Sequence, residues 1–181
     1  MAYKIVAVGG SQSAHSYNQF LIDYLKNTMS SQLQIHTLTV DQLPFLTPHV
    51  TSAALTDINY VRTTIKDADG LLIATAEINH SMPANLKNMI DWCSLDPTVL
   101  TDKPIMLIGA STGPLGTIRA QLHLREVLTS PAINSRLTHK SECLIANAAT
   151  QFDTNNRLIN TDTKKILHNL CAEFITLIEN N

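Results

Sequence analysis

Apolar residues change period repeatedly along this chain. Ile5-Val6-Ala7-Val8 is a short unbroken run that ends in Gly9-Gly10. Leu71-Leu72-Ile73-Ala74 follows Gly70, and Ile105-Met106-Leu107-Ile108 lies between Pro104 and Gly109. Leu144-Ile145-Ala146 is a weaker fourth run. Runs of this length, bounded by turn residues, predict strands buried on both faces. Leu33, Ile35, Leu38 and Val40 predict a half-exposed strand nearer a sheet edge. Between the runs the period turns helical. Tyr17, Phe20, Leu21, Tyr24 and Leu25 recur at i, i+3, i+4, i+7 and i+8. Leu55, Ile58, Val61 and Ile65 do so more briefly. Leu86, Met89, Ile90 and Cys93 form another helical stripe, opened by Pro83 at a first-turn position. Ile118 to Leu128 is closed by Ser130-Pro131, and Leu167, Leu170, Cys171, Phe174, Ile175 and Ile178 make the last helix.

Strand and helix thus alternate five times. That order predicts a parallel sheet with helices on both faces, reached through right-handed crossovers. No internal repeat or low-complexity linker divides the 181 residues, so residues 1–181 read as a single domain. Asp41 to Ala53, Thr129 to Glu142 and Ala148 to Asn160 read as surface loops, the last, rich in Thr and Asn, being the candidate for mobility.

Composition narrows the function classes. With 44% apolar and 15% charged residues the chain is not a disordered one. It has no apolar run near the roughly 20 residues of a membrane helix and no signal-peptide core. Thirteen basic against fifteen acidic residues leave no surplus that would point to nucleic acid or to anionic lipid. Cys93, Cys143 and Cys171 are odd in number and form no CxxC pair. They read as small buried apolar residues in a reducing, cytoplasmic protein, without disulfides or zinc. The histidines show no metal-ligand spacing.

In an open parallel sheet, ligands bind beyond the carboxyl ends of the strands, where strand order reverses. The loops after the first, third and fourth runs are therefore the candidates. The first, Gly9 to Asn18, has two glycines, three serines and an asparagine ahead of a helix. A helix start carries free N–H groups and partial positive charge, so it can hold a phosphate. It is neither a Walker A loop nor a GxGxxG fingerprint, and Ser16 alone also reads as an ordinary N-cap. The second, Thr75 to Pro83, and the third, Gly109 to Thr117, are long for strand-to-helix turns. Three such loops at one sheet edge suggest a pocket for a flat, phosphorylated ligand.

These loops resemble those of the NADPH-dependent FMN reductases, a family of flavodoxin-like quinone, azo-dye and chromate reductases. Its first signature, roughly GS-L-R-x-x-S-x-N, is met by Gly10-Ser11-Gln12-Ser13-Ala14-His15-Ser16-Tyr17-Asn18. Its second, P-E-Y-N-x-S-x-P-x-x-L-K-N-x-x-D-W, is met over Ala76 to Trp92. Its third, a Ser/Gly-rich loop followed by R-A-Q and L-R, is met by Ser111 to Gly116, Arg119-Ala120-Gln121 and Leu124-Arg125. The resemblance spans nearly the whole chain. It implies a flavodoxin-like three-layer α/β/α sandwich around a five-stranded parallel sheet, order 2-1-3-4-5, binding FMN non-covalently. Ser11, Ser13, Ser16 and Asn18, with Tyr17 beside them, would hold the phosphate. Ala76, Glu77, Ile78 and Asn79 would run along the isoalloxazine edge. Ser111, Thr112, Gly113 and Gly116 would flank the ring from the other side. Lys87, Asp91 and Trp92, on the following helix, would serve packing or an interface.

The family resemblance further implies NADPH or NADH as co-substrate, a small-molecule electron acceptor, and a homodimer or homotetramer. The cofactor carries the chemistry, so no catalytic side chain is required. Backbone N–H groups of the second loop would stabilise negative charge on the reduced ring, by the logic of an oxyanion hole. The chain departs from the pattern at three positions: Ser13 replaces the phosphate-loop arginine, and Ala76 and Ile78 replace the proline and tyrosine. Those losses keep open a flavin- or nucleotide-binding module without turnover, an electron carrier or a sensor. Gly109-Ala110-Ser111-Thr112-Gly113 also spells the G-x-S-x-G of a hydrolase, with Asp153 and His168 in suitable chain order. Against this, Pro114 and Gly116 delay the helix that should follow the nucleophile at once.

Overall fold

The computed structural model describes residues 1–9, 15–139 and 142–180. In chain order the elements are β1 (Tyr3–Gly9), α1 (Tyr17–Thr28), β2 (Leu33–Thr37), α2 (Ser52–Lys66), β3 (Gly70–Thr75) and α3 (Ala84–Ser94). Then come α4 (Pro97–Leu100), β4 (Pro104–Ala110), α5 (Ile118–Leu128), β5 (Arg136–Leu137), β6 (Cys143–Ile145) and α6 (Thr161–Glu179). All strand pairings are parallel, in the order β2-β1-β3-β4. The fifth place is shared: β5 pairs with β4 at Pro104 and Ile105, and β6 pairs with it from Ile108 to Ala110.

The unbroken apolar runs follow from burial on both faces. Along each central strand, successive side chains enter opposite layers. Ile5 and Ala7, Leu72 and Ala74, and Met106 and Ile108 pack with Leu21, Leu25, Leu170 and Phe174 of α1 and α6. Val6 and Val8, Leu71 and Ile73, and Ile105 and Leu107 pack with Val61, Ile65, Leu86, Met89 and Leu124 of α2, α3 and α5. The result is the flavodoxin-like three-layer sandwich.

Several boundaries differ from the sequence expectation. The sheet has a sixth strand, β5, inside the expected loop Thr129 to Glu142. Two residues carry no readable period, so pairing with the end of β4 decides it. The expected loop Asp41 to Ala53 gives its end to α2, which Thr51 caps by accepting the Ala54 N–H. The rest is fastened to α3: Asn85 donates to Asp41, and Trp92 Nε1 donates to Pro44 O at 2.7 Å. Pro83 stands at the N-cap of α3, just before the first helical residue. Its missing N–H costs no helical bond there either. Leu55, expected in the apolar stripe of α2, is exposed, while Leu38 and Val40 are buried beyond the end of β2. The expected loop Ala148 to Asn160 holds a 3₁₀ turn at Ala148–Thr150 and a bridge between Phe152 and Leu158.

Gly70 opens β3 where the Phe174 ring of α6 crosses it. A Cβ at Gly70 would lie 2.5 Å from Phe174 Cζ and 3.3 Å from Ile178 Cδ1. Gly70→Ala is expected to destabilise the chain by about 1–3 kcal/mol, the usual cost of overpacking. Urea denaturation checks the size. Phe174→Leu in the same chain should recover part of the loss if the ring is what the methyl meets.

Candidate functional site

The loops after β1, β3 and β4 lie at one edge of the sheet, because those three strands are parallel neighbours. Ser11 and Ser13 of the first loop lie outside the described residues. Ser16 is the N-cap of α1, its hydroxyl accepting the Gln19 N–H at 3.3 Å. The N–H groups of Tyr17 and Asn18, one turn end further out, meet no acceptor among the described residues. The first turn of α1 contains no acidic residue. Tyr17 packs its ring against Phe152, with centroids 5.4 Å apart.

Asn18 points inward, 3% exposed. Its Nδ2 donates to Ala110 O at 3.1 Å and its Oδ1 accepts the Ala110 N–H at 2.8 Å. The side-chain amide expected at a phosphate thus ties the start of α1 to the last residue of β4.

In the second loop, Ile78 and Ser81 exchange two backbone hydrogen bonds, 2.9 and 3.0 Å long. Asn79 and His80 between them have φ of 49° and 64°. That is a two-residue turn of the I′ kind, which requires positive φ at both central positions and which asparagine tolerates. Ile78 is 55% exposed at its base. Ala76 precedes a carboxylate that faces away from solvent. Glu77 Oε2 accepts the N–H groups of Arg119 (2.9 Å) and Ala120 (3.2 Å), and Oε1 lies 3.8 Å from Arg119 Nη1. Glu77 therefore caps α5, whose own N-cap, Thr117, has φ of 68° and makes no side-chain cap bond. No local pattern signals this cap, since its two halves lie 42 residues apart.

The third loop leans on the segment after β6. Ser111 N donates to Ile145 O, Ala148 N to Ser111 O, and Asn147 N to Gly113 O, all within 3.0 Å. Thr112 stays exposed between them. Gly116 has φ of 56°, and a Cβ there would lie 2.6 Å from the Leu144 carbonyl carbon. Only glycine combines that backbone conformation with that approach. Gln121 closes the floor, donating to Thr117 Oγ1 and to Cys143 O.

Comparison with known proteins gives this site its context. The sequence profile of the NADPH-dependent FMN reductases matches residues 3–150. The chain belongs to this family. It is 34% identical to the 2-hydroxy-1,4-benzoquinone reductase of a Burkholderia species, over 96% of this chain and 95% of that one. It is 33% identical to the NADH:(hydroxy)cinnamate reductase subunit CrdA of Vibrio ruber, over 96% of this chain and 86% of that one. Among solved structures it superposes on FerB, a flavoenzyme NAD(P)H:(acceptor) oxidoreductase of Paracoccus denitrificans, with a TM-score of 0.88 and 25% identity. That match covers 99% of this chain and 98% of FerB. The chain is accordingly an oxidoreductase of the flavodoxin-like fold, with FMN as cofactor and NAD(P)H as co-substrate.

The residues present fit an FMN phosphate. Two N–H groups without an acceptor among the described residues, and a first helical turn without an acidic residue, form a donor set for a dianion at the start of α1. At the start of α5 the corresponding donors are already taken by Glu77. The hydrolase arrangement, by contrast, is not assembled. Ser111 Oγ donates to Gly113 O, Asp153 Oδ1 accepts from Asn155 N and Arg157 N, and His168 Nε2 pairs with Tyr24 Oη at 3.1 Å. Among the described residues no group of three or more His, Cys, Asp or Glu could hold a metal ion, and no helix is long and apolar enough to cross a membrane.

Cys93, Cys143 and Cys171 are buried free thiols, and desolvation pushes each up to about 12. They stay protonated through neutral pH, and the thiolate is the reactive form. Iodoacetamide at pH 8 should leave all three unmodified in the folded chain and label all three in urea, as mass spectrometry will show. Asn18→Ala removes the partner of a buried N–H and a buried C=O at once. Its expected cost is about 2–4 kcal/mol. Chemical denaturation tests this, and a loss below that of an ordinary surface substitution would mean Ala110 finds other partners.

Proposed function

We propose that the chain passes electrons from NAD(P)H to a small-molecule acceptor, a quinone foremost, and with lower preference an azo compound, a metal oxyanion or free flavin. FMN, when bound, supplies a ring that takes a hydride from the nicotinamide and releases electrons to the second substrate. The chain's own residues bind and orient. The N–H groups of Tyr17 and Asn18, the cap Ser16, and Ser11 and Ser13 before them hold the phosphate. Ala76, Ile78 and Asn79 offer backbone to the ring edge, and Ser111, Thr112, Gly113 and Gly116 form the opposite flank. Ile78, exposed where the family pattern has tyrosine, leaves an aliphatic surface with room for a flat acceptor.

The open N-terminus of α1, at the point where strand order reverses, carries this reading. The names of relatives support the acceptor class: a benzoquinone reductase in Burkholderia and a quinone reductase in Escherichia coli, the latter 30% identical over 69% of this chain. The same reading takes the functional unit to be a homodimer or homotetramer in a reducing cytoplasm. Exposed Ile78, Leu115 and Leu122 supply apolar surface for a second copy, and the unpaired thiols suit that compartment. Light scattering of the purified chain reads the assembly directly.

The visible spectrum tests the function. Added FMN should give a bound-flavin spectrum, and NADPH or NADH should bleach it without oxygen, with colour restored by a benzoquinone. Flavin that binds but stays oxidised with both nucleotides would make the chain a carrier or sensor. Ser13→Arg should tighten FMN by about 1.5–3 kcal/mol, roughly 10- to 100-fold, the worth of one charge-assisted contact. Fluorescence quenching of free FMN measures it.

A further inference from the structure

We infer that Glu77 is a positioning residue rather than a flavin contact: its carboxylate clamps the second loop to the start of α5 and so sets the spacing between the two loops that flank the ring. The inference rests on the proposed site, but its structural half stands apart from it. Glu77 sits two residues after the end of β3 and one before the Ile78–Ser81 turn. Its side chain is 13% exposed, and both oxygens face the start of α5. Helix α5 has no acidic residue in its first turn and no side-chain bond from Thr117. Without Glu77, the Arg119 and Ala120 N–H groups and the positive end of the helix dipole would lose their partner.

The chain of contacts runs on from there. Helix α5 begins directly after the third loop, and Gly116 in that loop lies against the Leu144–Ile145 backbone. One carboxylate thus joins the second loop, α5, the third loop and β6. Arg119 stands further off, at 3.8 Å and partly exposed, so the two short N–H bonds rather than the ion pair carry the clamp.

The substitutions Glu77→Gln, Glu77→Ala and Arg119→Ala separate the readings. Glutamine keeps a carbonyl oxygen for the two N–H groups, so it should hold FMN within about threefold of the unaltered chain, with the same bound-flavin absorption maxima. Alanine should weaken FMN about tenfold or more and shift those maxima. Arg119→Ala should stay within about threefold. Amide hydrogen exchange on the flavin-free chain adds a readout that needs no cofactor: Arg119 and Ala120 should be protected in the unaltered chain and in Glu77→Gln, and exposed in Glu77→Ala. If glutamine loses as much FMN affinity as alanine, the charge itself acts on the flavin and the inference fails. If alanine lowers melting temperature but leaves affinity and spectrum unchanged, Glu77 is a cap only and the inference fails again. Failure of the unaltered chain to take up FMN would sink the proposed function instead, while the exchange result would still decide whether the clamp exists.

Discussion

The pairing of Asn18 with Ala110 is the constraint on which the candidate site depends. It joins the first turn of α1 to the last residue of β4, two strands away across the sheet from β1. Both partners are buried, so neither the Ala110 N–H nor its C=O has water to turn to. Geometry follows from that. The axis of α1 is fixed at its N-terminal end, and its first N–H groups are presented outward at a set distance from the third loop. An asparagine amide both donates and accepts, so one short side chain serves the N–H and the C=O of Ala110 at once.

The fifth strand position shows a second way of fixing the same edge. It is broken after Leu137 and resumes at Cys143. Just past Leu137, Arg125 of α5 donates to Thr138 O at 2.8 Å. At the next residue, Glu173 of α6 accepts the His139 N–H at 2.6 Å. The segment that follows β5 is thus held from both helical layers. The two pieces do different work: β5 extends the N-terminal end of β4, whereas β6 carries Ile145 to Ala148, against which the third loop rests.

The layers, the strand order and the position of the site were legible because burial on both faces writes an unbroken apolar run into each central strand. Val6 and Ile73 needed only hydrophobicity to be read. What was not legible depends on pairs distant in sequence. Nothing local distinguishes Glu77 as a cap for a helix 42 residues later, or the Asn18 side chain as a brace to Ala110. The serine reading shows the same limit from the other side: Ser16 is a cap, as its residue type suggests, and its place beside two open N–H groups emerges only from the fold. Arg136-Leu137 is too short to carry a period, and its strand character comes wholly from the edge of β4.

The helices that follow the first and third loops are finished differently. The start of α5 is closed by a carboxylate that belongs to the chain itself, and the start of α1 is left without one. Both ends have the same dipole, so an anion entering the cleft would meet two equivalent positive termini if neither were capped. Of these two, only the start of α1 offers N–H donors that a phosphate can take without displacing Glu77. On the proposed function, the ring of a ligand anchored there extends away from α1, toward the loops that Glu77 holds together. A site built this way takes its orientation from backbone ends and needs few side chains of its own. On the proposed function, Ile78 and Ser13 stand where the family pattern has an aromatic and an arginine, while Glu77 and Asn18 brace the loops.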